Sequence, residues 1–296
     1  MATVMRVGFR TSPQNTDWAS LEAAWAEAGQ HDVFDSGWLN DHFMDPVRDR
    51  GGSGFEAMTA LAALAHHVPG KTVGQTVLSA TFRHPSVLAK EAMTLDHVTG
   101  GRYILGLGAG WHIGEHESFG IDLPPLGERF DRYESTIRVL RALFSDDARS
   151  MPGVTLDAPP FRLDGAVMEP GSVRPGGPGL WLGGQGPRGL RLAARYADGW
   201  NYASNLDGTL EGFIERRDLL VAACEAIERD PATLTLSVQI IIPPAPAPRR
   251  ATFDQAVAYG RAGASEILLT TLAREGSPGI RRLATEVAEP LKATFG

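Results

Sequence analysis

The 296-residue chain is 43% hydrophobic and 21% charged, enough to bury a large core as one barrel or as two ordinary domains. Its net charge of -7 at pH 7 leaves no electrostatic footprint for nucleic acid or an anionic membrane surface, so the expected partner is a small molecule. The one cysteine, Cys224 in LLVAACEAI, excludes a disulfide framework; with no run near the ~20 apolar residues of a membrane span and no signal-peptide pattern, a soluble cytoplasmic protein is expected.

A first strand is predicted at 4–9 (VMRVGF), followed by a helix at 17–28 in which Trp18, Leu21, Trp25 and Ala28 recur at helical spacing. The second strand, 33–39, runs into WLNDHF at 38–43. If the strand persists, Asp41 and His42 point in opposite directions, one towards the polar edge of a bound ring and one towards its reacting face. His42 suits proton transfer near neutral pH; a structural Asp–His pair is the alternative. A helix at about 54–67 leads to a third strand at 72–79, and in TVLSATFRHP (76–85) the hydroxyls of Thr76, Ser79 and Thr81 alternate with apolar residues. A flat ring could rest there, although such hydroxyls also serve as ordinary barrel filling. Ser86 is placed as the N-cap of a helix at 86–98, and Gly100–Gly101 as its stop.

The fourth strand, 102–107, enters GLGAGWHIG at 106–114. Glycines permit positive φ and close backbone approach to a ligand, so the turn could hold a phosphate, support a metal at His112 and His116, or simply bend. A dinucleotide fingerprint needs a helix directly after the turn, and none is expected before Pro124–Pro125. His112 and His116 lack the HExxH order, and Gly114 weakens a helix between them; they read as solvated loop histidines. A helix at 128–144 carries Phe130, Tyr133, Ile137, Leu140 and Phe144 on one face, and the Pro- and Gly-rich residues 145–179 predict an excursion.

The fifth strand, 180–184, opens LGGQGPRGLRLAARYADGWN at 182–201. Gly183, Gly184 and Gly186 lead into a helix at 187–197 whose first turn holds Pro187 and Arg188. Free backbone N–H groups, a positive dipole end and a guanidinium make this the best anion site in the chain, with a glycine-rich bend as the alternative. Strands at 199–203, 234–242 and 266–271, helices at 209–229, 252–262 and 277–294, and a polyproline-like stretch at 243–250 complete the pattern.

Eight strands alternating with eight helices predict an α/β fold, a parallel (β/α)8 TIM barrel forming a single domain over 1–296. Its active site is expected at the C-terminal strand ends. Trp38, Trp111 and Trp200 stand near those ends and predict a pocket for an apolar or aromatic substrate.

Taken together, NDHF (40–43), ATFRHPSVLAKEAMTLDHVTGGRYILGLGAGW (80–111), PPLGERFDRYESTIRVLRALF (124–144), LGGQGPRGLRLAARYADGWN and AGASEILL (262–269) resemble the bacterial luciferase-like flavin and deazaflavin oxidoreductases. The resemblance implies a barrel holding FMN or the deazaflavin coenzyme F420 in its mouth, and the TFRHP form is most similar to the F420-using branch. It implies that Asp41 contacts the deazaflavin and His42 donates the proton. Ser79 and the Thr76–Val77 peptide would back the ring, through a non-prolyl cis bond in some members. Ala109, Gly110, Gly183, Gly184, Gly186 and Pro187 would line the ribityl and phosphate path. Trp111 replaces a catalytic glutamate of the sugar-phosphate dehydrogenases, and Gly114 an asparagine, so phosphosugar oxidation is not expected. The expectation is an F420-dependent oxidoreductase, a homodimer by default. The alternatives are an FMN-dependent monooxygenase, a non-catalytic flavin-binding relative and, more remotely, a metal-dependent hydrolase centred on HIGEH.

Overall fold

The computed structural model describes residues 5–47, 51–204, 208–243 and 249–296. In chain order the elements are β1 (Arg6–Thr11), α1 (Trp18–Gly29), β2 (Ser36–Leu39), α2 (Ala57–Leu64), β3 (Thr72–Gln75), β4 (Leu78–Ser79), α3 (Pro85–Thr99) and β5 (Tyr103–Gly108). There follow α4 (Ile113–Phe119), α5 (Leu126–Phe144), β6 (Val154–Ala158), β7 (Phe161–Ala166), β8 (Gly179–Gly183), α6 (Pro187–Tyr196) and β9 (Gly199–Ala203). The chain closes with α7 (Leu210–Glu225), β10 (Thr235–Ile241), α8 (Arg250–Arg261), β11 (Glu266–Thr271), α9 (Gly276–Leu283) and α10 (Glu289–Phe295).

The strands form the predicted closed parallel barrel. Around the ring stand β1, β2, β3 with its continuation β4, β5, β8, β9, β10 and β11; β11 pairs back onto β1, and β3 reaches β5. In a ring of eight staves, β1 and β11 therefore face β8 and β5 across the mouth. Parallel strands covered by helices are buried on both faces, and β11 is buried along its whole length.

The helices earn their places by packing. In α1 the Asp17 carboxylate caps Ser20 N at 2.8 Å, and Leu21, Ala24, Trp25 and Ala28 are buried. Tyr133, Ile137, Leu140 and Phe144 form the buried stripe of α5. The excursion at 145–179 contains the antiparallel β6–β7 hairpin, tied to α5 by the Ser135 hydroxyl donating to Pro159 O at 2.6 Å.

Several local expectations need correcting. The cap of α3 is His84, whose Nδ1 accepts from Ser86 N at 3.2 Å, because Pro85 takes the first helical position, where its missing N–H costs nothing. A helix, α4, does follow the glycine turn, despite Gly114. The second strand begins at Ser36. The last helix contains a π turn over Ala284–Ala288. Val4, and residues 244–248 of the polyproline-like stretch, lie outside the described residues.

The lower half of the barrel is plugged by Trp38 and Trp181, stacked with centroids 4.5 Å apart, together with Leu268. Glycines on neighbouring staves make the room: a Cβ at Gly74 would lie 2.7 Å from the Trp38 ring, and one at Gly199 would lie 2.5 Å from Trp181 Nε1. Trp38 donates to Ser36 Oγ at 2.7 Å and is fully buried. It is barrel core, not the pocket wall that its position near a strand end predicts.

Candidate active site

Above the indole plug the barrel opens into a cavity of about 820 Å³. Every stave contributes. Asp41 and His42 follow β2, Thr76, Val77 and Ser79 come from the third stave, Ala109 and Gly110 follow β5, and Gly183 and Gly184 stand at the end of β8. Arg10, Asn201, Gln239 and Thr270 supply the facing staves. The Thr76–Val77 peptide is cis, as the resemblance implied.

His42 and Glu115 form the central pair. His42 Nδ1 lies 2.9 Å from Glu115 Oε2, and the other carboxylate oxygen accepts from Phe43 N. Burial raises the proton affinity of Glu115, but the bonds from His42 and Phe43 outweigh it and hold the carboxyl below its usual range. An ionised carboxylate only accepts, so Nδ1 carries the hydrogen and Nε2 is left to act on a ligand. Trp111, half exposed, stands edge-on to His42 with centroids 5.6 Å apart.

Asp41 borders the cavity, yet its carboxylate is already engaged. Arg83 reaches both oxygens, at 2.7 and 2.9 Å, and Ser79 N donates at 2.9 Å. Asp41 thus fixes the backbone of Ser79 instead of presenting a free carboxylate. Arg83, whose side chain is 10% exposed, also meets Glu56, and these two acids raise its pKa against the opposing effect of burial.

A hydrogen-bond chain runs from Ser79 Oγ to Thr81 Oγ1 at 2.6 Å and on to His116 Nε2 at 2.7 Å. Its polarity follows from the far end. His116 Nδ1 lies 2.7 Å from the carbonyl of His112, which can only accept, so Nδ1 carries the hydrogen. Burial lowers the pKa of His116 and favours the neutral ring. Nε2 then accepts from Thr81, Thr81 accepts from Ser79, and Ser79 Oγ turns its lone pairs to the cavity.

Both glycine turns at the cavity adopt backbone that favours glycine. Gly110 has φ +85°, and a Cβ there would lie 2.7 Å from both Ser79 Oγ and Thr81 Oγ1. Gly184 has φ +115°, and its carbonyl accepts from Trp200 Nε1 at 2.9 Å. Trp200 is fully buried, stacked on Phe213, so it braces the turn from behind and does not line the pocket as predicted. Tyr133 donates to Leu107 O at the end of β5 at 2.8 Å and lies 3.4 Å from Gly183 O at the end of β8.

Gly186, Pro187 and Arg188 do not border the cavity. The guanidinium of Arg188 is paired with Asp131 at 2.6 Å and Glu134 at 3.4 Å, which removes it from the anion site expected at the start of α6.

His112 and His116 are buried, not solvated. His112 caps α4, its Nδ1 accepting from Glu115 N at 3.0 Å. Among the described residues no group of three ligating side chains could hold a metal ion.

Sequence reasoning missed Glu115, Arg83 and Arg10. Glu115 follows His112 by three residues, a capping-box spacing with histidine in the place of serine. Arg10 is a charge at an inward position of a buried strand, a signal the sequence did offer.

The match to the family model described as luciferase-like monooxygenase spans residues 5–290. A protein of Nakamurella multipartita named F420-dependent glucose-6-phosphate dehydrogenase is 31% identical over 198 residues, 66% of this chain and 55% of that protein. A phthiodiolone/phenolphthiodiolone dimycocerosates ketoreductase of Mycobacterium sp. is 33% identical over 170 residues, 57% of this chain and 42% of that protein. The chain thus spans about half the length of these curated relatives. An F420-dependent secondary alcohol dehydrogenase solved with an F420-acetone adduct superposes with TM-score 0.80 at 18% identity, covering 97% of this chain and 99% of that one. A riboflavin lyase solved with modified FMN gives 0.77 at 14%, covering 98% and 92%. The chain belongs to the luciferase-like monooxygenase family.

Proposed function

We propose that this family member is an F420-dependent oxidoreductase that reduces a small organic substrate at a carbonyl or activated double bond, with His42 as the proton donor. The observation that carries the reading is the His42–Glu115 pair opening onto a cavity cradled by Gly110 and Gly184. Relatives named as F420-dependent enzymes support the choice of coenzyme.

The residues fit a tricyclic coenzyme. A Cβ at Gly110 would collide with Ser79 and Thr81, so glycine lets the turn pack against these two hydroxyls, and Gly110 and Ser79 together line the cavity wall. Ala109, Gly183 and Gly184 continue it, while Ser79 Oγ offers an acceptor and Thr76–Val77 a backing surface. Reduced deazaflavin, when bound, supplies hydride. The protein holds and delivers the proton. Glu115 orients His42 and stabilises its imidazolium, whose Nε2–H is given up as negative charge develops on the substrate.

By the resemblance, Trp111 stands where the sugar-phosphate dehydrogenases carry a catalytic glutamate, so phosphosugar oxidation is not proposed, despite the names of several relatives. The test is equilibrium titration of the purified protein with F420 and, separately, with FMN. It is followed by single-turnover oxidation of reduced F420 with enones, quinones and ketones. Tight F420 binding and turnover are expected. Tight FMN binding with no detectable F420 binding would overturn the reading in favour of a flavin monooxygenase.

A further inference from the structure

Arg10 has no part in the chemistry described above. It is buried on β1, and it borders the cavity. Its Nε donates to Thr76 Oγ1 at 3.0 Å, Nη2 to Thr76 O at 3.2 Å and Nη1 to Thr270 Oγ1 at 3.4 Å. These acceptors are all neutral, and they leave two of the five guanidinium N–H groups without a partner among the described residues. Asp41 and Glu115 also border the cavity but are committed to Arg83 and His42. Among the described residues no carboxylate pairs with Arg10.

An isolated ion in a protein interior costs several kcal/mol, roughly, unless a partner compensates it. Burial lowers the pKa of Arg10 to about 10, which leaves it charged at neutral pH. Arg83 shows what a compensated guanidinium looks like in this barrel, with two short bonds to Asp41. A second arginine, Arg274, stands exposed at the cavity rim just past β11, and it makes no ion pair with a described residue. This edge faces the Gly110 and Gly184 turns across the ring, away from the cradle assigned to the coenzyme's ribityl and phosphate path, while the Arg10 guanidinium itself reaches the Thr76 peptide that would back the coenzyme ring.

We propose that the β1–β11 edge is an anion subsite, with Arg10 at its floor and Arg274 at its rim, and that the substrate carries an acid group, most directly a carboxylate. The inference rests on the proposed function only for calling the bound molecule a substrate. The planar fork of Arg10 matches a carboxylate in two-point contact. The acid group would fix one end of the substrate while the unsaturated end is presented to His42.

The test uses benzoate and its neutral counterpart benzamide as probes, titrated calorimetrically into the coenzyme-free protein and then into the F420-loaded protein. Benzoate is expected to bind at least about tenfold more tightly than benzamide, the value of one charge-assisted contact. The preference should persist with F420 bound, vanish in Arg10→Met, survive in part in Arg10→Lys, and weaken about threefold in Arg274→Gln. Equal affinities for the two probes, or an undiminished preference in Arg10→Met, would overturn the subsite. Expulsion of benzoate by F420 would assign Arg10 to the coenzyme ring and overturn the substrate claim. If Arg10→Met does not fold, the comparison of probes on the parent protein decides. Because that arm needs no coenzyme, a failure of F420 to bind would remove the proposed function without touching this result.

Discussion

Replacing Glu115 by glutamine separates orientation from charge at His42, the proposed proton donor. The carboxylate accepts from two donors at once, His42 Nδ1 and Phe43 N, one on each oxygen. An amide has one accepting oxygen, so in Glu115→Gln one of those donors must face an NH2 group. If the oxygen stays on Phe43 N, the NH2 group faces Nδ1 and forces the hydrogen of neutral His42 onto Nε2, making protonation of the ring unfavourable. If it rotates, a buried backbone N–H is orphaned. A charge-assisted bond contributes about 1.5–3 kcal/mol and a neutral one about 0.5–1.5, so ~1–2 kcal/mol of imidazolium stabilisation is lost. That corresponds to a roughly five- to thirtyfold fall in kcat at about 1.4 kcal/mol per decade. The assay is rapid mixing of the enzyme, loaded with reduced F420, against a turned-over substrate across about pH 6–9. The expected outcome is a lower kcat at nearly constant KM, a displaced pH profile, and a coenzyme Kd within about twofold of the parent. An unchanged kcat and pH profile would refute the role given to Glu115, and an equal loss in coenzyme affinity would make it a merely structural residue.

Three further outcomes follow from the same geometry. Gly110→Ala places a methyl 2.7 Å from Ser79 Oγ and Thr81 Oγ1 at a φ of +85°; coenzyme affinity measured by fluorescence titration should fall by more than about tenfold, with stability lowered by about 1 kcal/mol. Tyr133→Phe removes the bond to Leu107 O and should cost about 1–3 kcal/mol in urea denaturation, since a buried carbonyl is left behind. Glu266 is fully buried at the base of the barrel; burial raises its pKa, with Arg6 and Ser36 opposing. A raised carboxyl pKa means that the folded state holds more protons than the unfolded one, so stability falls as pH rises from the ordinary value of about 4.3 through the raised one. Glu266→Gln should flatten that part of a melting-temperature profile, and an equal slope in parent and variant would refute the assignment.

The ring of staves was legible because buried parallel strands read as short apolar runs bounded by glycine and proline, and the helices between them carry one apolar stripe each. What escaped were features decided across the barrel. Trp38 and Trp200 both stand near strand ends, yet one points down onto Trp181 and the other outward onto Phe213. Glycines on neighbouring staves make room for the first, which the run 33–39 alone cannot reveal. The helix α4 was missed because Gly114 lowers its intrinsic propensity. It forms nonetheless, as His112 caps its start and Glu115 and His116 are held by residues of other loops. Glu115 is 73 residues from His42, so their pairing has no local signature.

The charges at the mouth differ in how they are paired. Asp41 and Arg83 neutralise each other and hold Ser79 in place; His42 and Glu115 are paired through a proton that one of them can use. Arg10 alone of these ions has only neutral acceptors. A fold that satisfies the Arg83–Asp41 pair at the same mouth had the means to satisfy a second one, and an apolar side chain at residue 10 would have avoided the cost of desolvation altogether. A lasting imbalance of this kind is tolerated where binding relieves it, since a ligand that discharges the strain gains affinity from it. On the proposed reading, the positive edge and His42 act together: the charge would select and orient the molecule that His42 then protonates.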